Sequence, residues 1–234
     1  MRDVRRLNTN SEEMIEDKVK TPPSNRHALK SPEETIDEYG DLSYFGVRQT
    51  EDNSKQLLNY YFFRNGFSVE ECEKIKSLAK NYQKSSGSTF AGEEAVYRKS
   101  NVRWMPPDDS TKWIYERYKG YVNEANNVFS LDLTGFTEFL QFTEYEGKGA
   151  KYDYHVDIGP GNWHRKLSIV CQLSSPKDYK GGELKMSTGG DILDVPSEQG
   201  DVILFPSIIQ HKVFPLEWGT RYSLVSWVSG PAWR

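Results

Sequence analysis

The stretch YDYHVDIG at 152–159 sets His155 and Asp157 two apart in a run of aromatic and β-branched residues, a composition that favours extended chain over helix. On a strand, side chains at i and i+2 point the same way, so this imidazole and this carboxylate can close on one small object. The other histidines are His27, His164 and His211. His27 lies in a polar N-terminal stretch and reads as a surface residue. His164 follows Gly161, Asn162 and Trp163 in a loop and reads as a non-ligand. His211 opens a strand directly after GDVILFPSIIQ, far enough along the chain for several strands to return it beside the first pair. Two imidazoles and one carboxylate on one face of a metal leave other positions open for reactants, a donor set suited to non-haem Fe(II). The HxD pair alone is a weak signal, because it arises by chance on many strands.

A second feature follows His211. Arg221 and Ser223 share one face of the strand TRYSLVSWVS, in an apolar context where an unpaired guanidinium is costly. An arginine there requires an anion. Its planar fork suits a carboxylate, and Ser223 can add a hydrogen bond. From the residues alone the anion is either a ligand or one of the chain's own acids in an internal salt bridge.

The elements that must position these groups change character along the chain. Residues 1–55 are charged and polar, with the breaker TPPSNRH, and bury too little apolar surface to offset the entropy of ordering. They read as a flexible arm, with YGDLSYFGV at 39–47 able to dock on the body; residues 56–234 read as one folded domain. LLNYYFFRNGF reads as a strand ending in the turn pair Asn65-Gly66. Ser68 with Glu71 forms a capping box for a helix over 68–86 carrying Val69, Cys72, Ile75, Ala79 and Tyr82 at helical spacing. A second helix over 110–129 starts near Asp109 or Ser110 and presents Trp113, Ile114, Tyr118, Tyr121 and Ala125. From about 136 onward there are eight short runs separated by Gly, Pro and Asp: TEFLQFTEY, KYDYHVDI, RKLSIVCQL, GELKMST, DILDV, GDVILFP, HKVFP and TRYSLVSWVS. That succession predicts an α+β fold, a jelly-roll core of about eight antiparallel strands with the two helices bracing one outer face. Gln141 and Tyr145, four apart on one strand, share a face and can line its interior.

Composition excludes several classes. A chain of 234 residues favours one core, and its formal charge of -4 provides no basic field for a phosphate backbone. The basic run RKSNVR at 98–103 reads as a solvated strand edge, so nucleic acid is not expected as a partner. No stretch approaches the roughly 20 apolar residues of a membrane span and no secretory leader is evident. Cys72 and Cys171 form no CxxC pair and read as buried thiols of a reducing, cytoplasmic compartment.

With His155, Asp157, His211, Arg221 and Ser223 in that order on a β-rich C-terminal half, the sequence resembles the Fe(II)/2-oxoglutarate dioxygenases, and more narrowly their prolyl 4-hydroxylase-like branch, over roughly residues 57–231. The helix start SVEECEKI, the Gln141 and Tyr145 pair, RKLSIVCQLSSPKDYKGGEL and GDVILFPSIIQHKVFPLEWGTRYSLVSW carry the resemblance further. The resemblance implies a double-stranded β-helix in which His155, Asp157 and His211 ligate Fe(II). Arg221, with Tyr145, Ser223 and Gln141, is implied to bind 2-oxoglutarate. Tyr152, Arg165 and Trp227 match positions lining the target site in prolyl hydroxylases, and Trp163 in the loop DIGPGNWH either covers the mouth or packs back on the surface. Dioxygen is the second cosubstrate and ascorbate a candidate auxiliary. The implied reaction hydroxylates a prolyl residue of a protein or peptide and releases succinate and CO2. The same chemistry on another side chain or a small metabolite is the alternative, and a non-catalytic jelly-roll binding module is a third reading. Two departures stand out: some prolyl 4-hydroxylases carry lysine at the position of Arg221, and the interval from Tyr145 to His155 is one residue longer than the family's usual one. A bulge or longer turn through EGKGAK is expected to absorb the extra residue.

Overall fold

A computed structural model describes residues 59–87, 97–188 and 190–232. Residues 1–55, with His27 and the 39–47 patch, lie outside the described residues. The first strand, β1 (Tyr61–Phe63), leads into helix α1 (Val69–Ala79), β2 (Ser85–Ser86), β3 (Arg98–Lys99), β4 (Asn101–Met105) and helix α2 (Lys112–Phe129). Ten further strands follow: β5 (Gly135–Phe136), β6 (Leu140–Glu146), β7 (Lys151–His155), β8 (Arg165–Gln172), β9 (Tyr179–Gly181), β10 (Leu184–Thr188), β11 (Asp191–Asp194), β12 (Val202–Pro206), β13 (Gln210–Val213) and β14 (Leu216–Ser229). Each of the eight runs singled out in the sequence overlaps one of these strands.

The strands form two antiparallel sheets. The larger runs β1-β12-β8-β14-β6-β4-β2, with β5 and β9 also paired to β14; the smaller runs β11-β10-β13-β7-β3. Alternation along the strands sorts side chains to the two faces of the larger sheet. Val202 and Leu204 of β12, and Leu167, Ile169 and Cys171 of β8, pack with Ile75 of α1 and with Ile114, Tyr118 and Ala125 of α2. Their neighbours Ile203, Phe205 and Val170 face the other way, into a second core with Leu184, Met186 and Val213 of the smaller sheet. The helices therefore cover one face and the smaller sheet the other, the double-stranded β-helix arrangement.

The helices are held as the sequence suggests, with changes at their ends. The Ser68 hydroxyl accepts from the Glu71 amide at 3.2 Å while Glu71 accepts from the Ser68 amide at 2.9 Å, a complete capping box. Helix α1 stops at Ala79, short of 86, and Val69 is 53% exposed rather than on the buried face. Helix α2 has Thr111 at its N-cap without a side-chain cap bond; the Asp108 carboxylate instead accepts from the amides of Ser110 and Thr111 at 2.8 and 3.1 Å. The basic run at 98–103 is not a solvated edge. Arg98 is buried, and its guanidinium stands 4.5 Å from the centre of the Tyr152 ring. No helix among the described residues is long and apolar enough to cross a membrane.

Between β6 and β7 the chain turns with Gly147 at φ 70 and Gly149 at φ 80, conformations open to glycine without steric cost. The Gly147 amide bonds Gly219 O at 3.1 Å and the Gly149 amide Leu216 O at 2.8 Å. The longer connection is thus tied to β14, and β7 starts at a fixed point.

Candidate active site

Two strand ends converge on the charged centre. β7 and β13 are neighbours in the smaller sheet with His155 directly opposite His211, and their rings lie 4.1 Å apart. Asp157 is two residues beyond the end of β7, where the chain bends, and its amide donates to Ser207 O at 3.0 Å. The donor atoms of the three side chains all lie within 4.8 Å of one another. His155 Nε2 stands 3.8 Å from Asp157 Oδ1 and His211 Nε2 3.7 Å from Oδ2.

The tautomers suit metal ligation. His155 Nδ1 sits 2.7 Å from Asp153 O and His211 Nδ1 3.0 Å from Ile209 O. A carbonyl can only accept, so each Nδ1 carries a proton, and each Nε2 is left facing Asp157 as the atom available to a metal. Burial, then the facing His211, pushes the His155 imidazole down to about 3, which keeps it neutral at physiological pH. Burial alone pushes the Asp157 carboxyl up. The opposing imidazoles of His211 and His155 and the hydrogen bond from Ser168 outweigh it and hold Asp157 below the usual carboxylate range. The Ser168 hydroxyl donates to Asp157 Oδ2 at 2.6 Å and lies 2.9 Å from the Ser207 hydroxyl. Tyr152 stacks on His155 with ring centres 3.5 Å apart, and Phe205 packs edge-on against His211. Two imidazole nitrogens beside one carboxylate, braced by carbonyls and a serine, are a donor set that fits a divalent iron.

Deeper in the cleft, register places Arg221 opposite Tyr145 and Ser223 between Thr143 and Gln172. Arg221 is 1% exposed. Its Nη2 donates to Gln172 Oε1 at 2.7 Å, and its Nη1 has no partner. No carboxylate of the described residues pairs with it, so among these residues Arg221 has no internal salt bridge. The Tyr145 ring centre lies 5.4 Å from the guanidinium carbon. A buried cation with a spare donor fits the distal carboxylate of a dicarboxylic acid. Gln141 lines the same wall, its amide donating to the Thr143 hydroxyl at 3.0 Å.

Arg165 and Trp163 stand differently toward the outer wall. Arg165 lines the cleft, but its guanidinium is already committed: Nε and Nη2 donate to the two oxygens of Glu138 at 2.7 and 2.5 Å, and Nη1 reaches Asp157 O at 3.2 Å. It lies flat over Trp227 at 3.6 Å. Arg165 thus braces a metal-ligand candidate and a wall tryptophan. Trp163 is 55% exposed and is not part of the cleft lining. His164 approaches Glu138 at 3.4 Å and lies outside the His155, Asp157 and His211 cluster. Sequence reasoning passed over Ser168, Gln172, Thr143 and Glu138. The signal for the first two was available, since polar residues at alternating inward positions of the otherwise apolar run RKLSIVCQ must face something polar.

The fold and this donor set define a class of metal-dependent oxygenase. The chain belongs to the 2OG-Fe(II) oxygenase superfamily, whose sequence model matches residues 140–229. It is 36% identical to a PKHD-type hydroxylase of Gloeothece citriformis, over 68% of this chain and 72% of that protein. A PKHD-type hydroxylase of a Synechococcus strain is 31% identical over 64% and 68%. Among solved structures, a Trichoplax adhaerens prolyl hydroxylase in complex with a hypoxia-inducible factor oxygen degradation domain peptide shares the fold at TM-score 0.63. It is 18% identical, with 76% of this chain and 85% of that one covered. A Pseudomonas putida prolyl-4-hydroxylase superposes at TM-score 0.61, 19% identical over 74% and 94%. The protein is therefore a dioxygenase of this superfamily, similar to PKHD-type hydroxylases, and membership implies Fe(II), 2-oxoglutarate and dioxygen.

Proposed function

We propose that the protein hydroxylates a prolyl residue in a protein or peptide, coupling this to conversion of 2-oxoglutarate to succinate and CO2. The observation that carries the cosubstrate half of this reading is the fully buried Arg221, which among the described residues has a spare donor and no acid paired with it, on the floor of the cleft that opens past His155, Asp157 and His211. The cleft has a volume of about 620 Å³ and its outer walls carry Tyr97, Trp104, Tyr152 and Trp227. Aromatic faces suit a compact apolar ring such as pyrrolidine, and the similar solved proteins include prolyl hydroxylases, one of them holding a peptide.

In this reading His155, Asp157 and His211 hold the iron, which with 2-oxoglutarate and dioxygen supplies the oxidising power for C–H hydroxylation. The chain contributes binding and orientation. Arg221, with Tyr145 and Ser223 beside it, takes the far carboxylate of the cosubstrate. Tyr152 and Phe205 pack against the two imidazoles and shield them from water. Arg165 and Ser168 keep Asp157 aimed. Tyr152, Trp104 and Trp227 flank the target. The reading also takes ascorbate as an auxiliary reductant and the cytoplasm as the compartment, consistent with the free, buried thiols of Cys72 and Cys171. Residues 1–55 are taken as an arm outside the catalytic domain.

The test is mass spectrometry of proline-containing proteins and peptides incubated with the Fe(II)-loaded enzyme. Gain of one oxygen on proline, matched by succinate, is expected. Oxygen incorporated only into a free metabolite or another side chain would replace the prolyl assignment and leave the oxygenase reading standing.

A further inference from the structure

The floor of the cleft contains a pairing that the reaction, as described so far, leaves unused. Gln172 closes β8 directly opposite Ser223, is 2% exposed, and spends its side-chain carbonyl on Arg221 Nη2 at 2.7 Å. Its backbone is pinned twice to the segment before β12: its amide donates to Asp201 O at 2.9 Å and its carbonyl accepts from the Gly200 amide at 2.7 Å. The side chain therefore stands on a fixed platform. A buried arginine is usually matched by a carboxylate, which cancels its charge. Here the partner is a neutral amide. It can fix one edge of the planar fork without neutralising it, and the opposite edge, Nη1, is left with no partner.

We propose that Gln172 is a positioning and selectivity residue for the cosubstrate: by anchoring Arg221 through a neutral acceptor, it preserves an uncompensated positive charge for the distal carboxylate of a dicarboxylic 2-oxo acid. This rests on the reading of Arg221 as the cosubstrate's anion partner. It makes the identity of the residue at 172, and not merely its packing, decide whether a dicarboxylate is preferred over a monocarboxylate. Glutamate at 172 supplies the acid that Arg221 lacks. The arginine then pairs internally and the anion site closes, although the fold loses nothing. A leucine leaves Nη2 without its acceptor, so the fork loses its orientation but keeps its charge.

The test uses the full-length chain loaded with Mn(II), which binds without turnover. Calorimetric titration with 2-oxoglutarate is compared with 2-oxopentanoate, which has a methyl group in place of the distal carboxylate. Wild type should prefer 2-oxoglutarate strongly. Q172E should weaken 2-oxoglutarate by about 100-fold and erase the preference, and Q172L should weaken it by about 10-fold, the range expected for losing hydrogen bonds to a charged group. Mn(II) affinity and the melting temperature of the Q172E apoprotein should not fall. Should Q172E fail to fold, the Q172L titration decides. Wild-type affinity and preference retained in Q172E, or in Q172L in that event, with R221M still losing both, would overturn the role of Gln172 and leave Arg221's intact. Wild type showing no preference for 2-oxoglutarate would overturn both.

Discussion

Arg221 shows how far a site can depart from what stability alone favours. A guanidinium that is 1% exposed, with one neutral acceptor and one empty donor, is a cost to the unliganded fold. Replacement by methionine, which has similar length and no charge, should raise the stability of the metal-free protein by about 1 to 3 kcal/mol in urea denaturation. It should also abolish binding of 2-oxoglutarate and leave metal affinity unchanged. A destabilised R221M would mean that the arginine serves the fold. His155 gives the pH counterpart. Its folded pKa is lowered to about 3 against roughly 6.5 unfolded, so the unfolded chain binds the extra proton between those values. Its contribution to stability is complete above about pH 6.5 and is lost as pH falls toward 3, at up to about 1.4 kcal/mol per pH unit. Urea titrations of the apoprotein should show that slope, and His155→Gln should flatten it. These residues were legible as types and spacings. What spacing could not decide was Arg221's partner, because a salt bridge and a ligand site place the same letters in the same order.

At the scale of elements, periodicity carried far. Eight alternating or apolar runs each gave a strand, and Ser68 with Glu71 gave the capping box they spell. Ser68→Ala should cost about 1 kcal/mol and leave Mn(II) affinity unaltered, since α1 packs on the face of the larger sheet away from the cleft; a change in metal binding would contradict that separation. The misreadings share one cause, tertiary contact overriding local pattern. RKSNVR looks solvated by composition, yet β3 pairs with β7 and carries Arg98 into the wall beside Tyr152. Arg165 lines the cleft, and Glu138, just before β6, holds its fork there. No local pattern announces an ion pair between distant segments. Glu138→Ala should leave Arg165 partly buried and unpaired, destabilise the protein by about 2 to 4 kcal/mol, and weaken metal binding through the Asp157 carbonyl. Stability and metal affinity that both stayed at wild-type values would show the brace to be idle.

For the whole molecule, topology explains why residues so separated in sequence meet. Two antiparallel sheets face each other, and the smaller sheet sets β7 beside β13, so His155 and His211 become cross-strand partners while β14 carries Arg221 beneath them on the larger sheet. A binding module without turnover is expected to have lost one or more of the metal positions. Here all three are present with both imidazoles in the ligating tautomer. The pairing of sheets was inferable from strand count, but the exact depth of Arg221 and the aromatic walls was not, because both depend on register across three strands. The central claim is tested most directly by a crystal structure of the full chain with Mn(II) and 2-oxoglutarate. The account predicts one anomalous metal peak shared by His155 Nε2, His211 Nε2 and an Asp157 oxygen, with the far carboxylate of the acid on Arg221 Nη1. Metal bound elsewhere, or an Arg221 with no carboxylate against it, would contradict it.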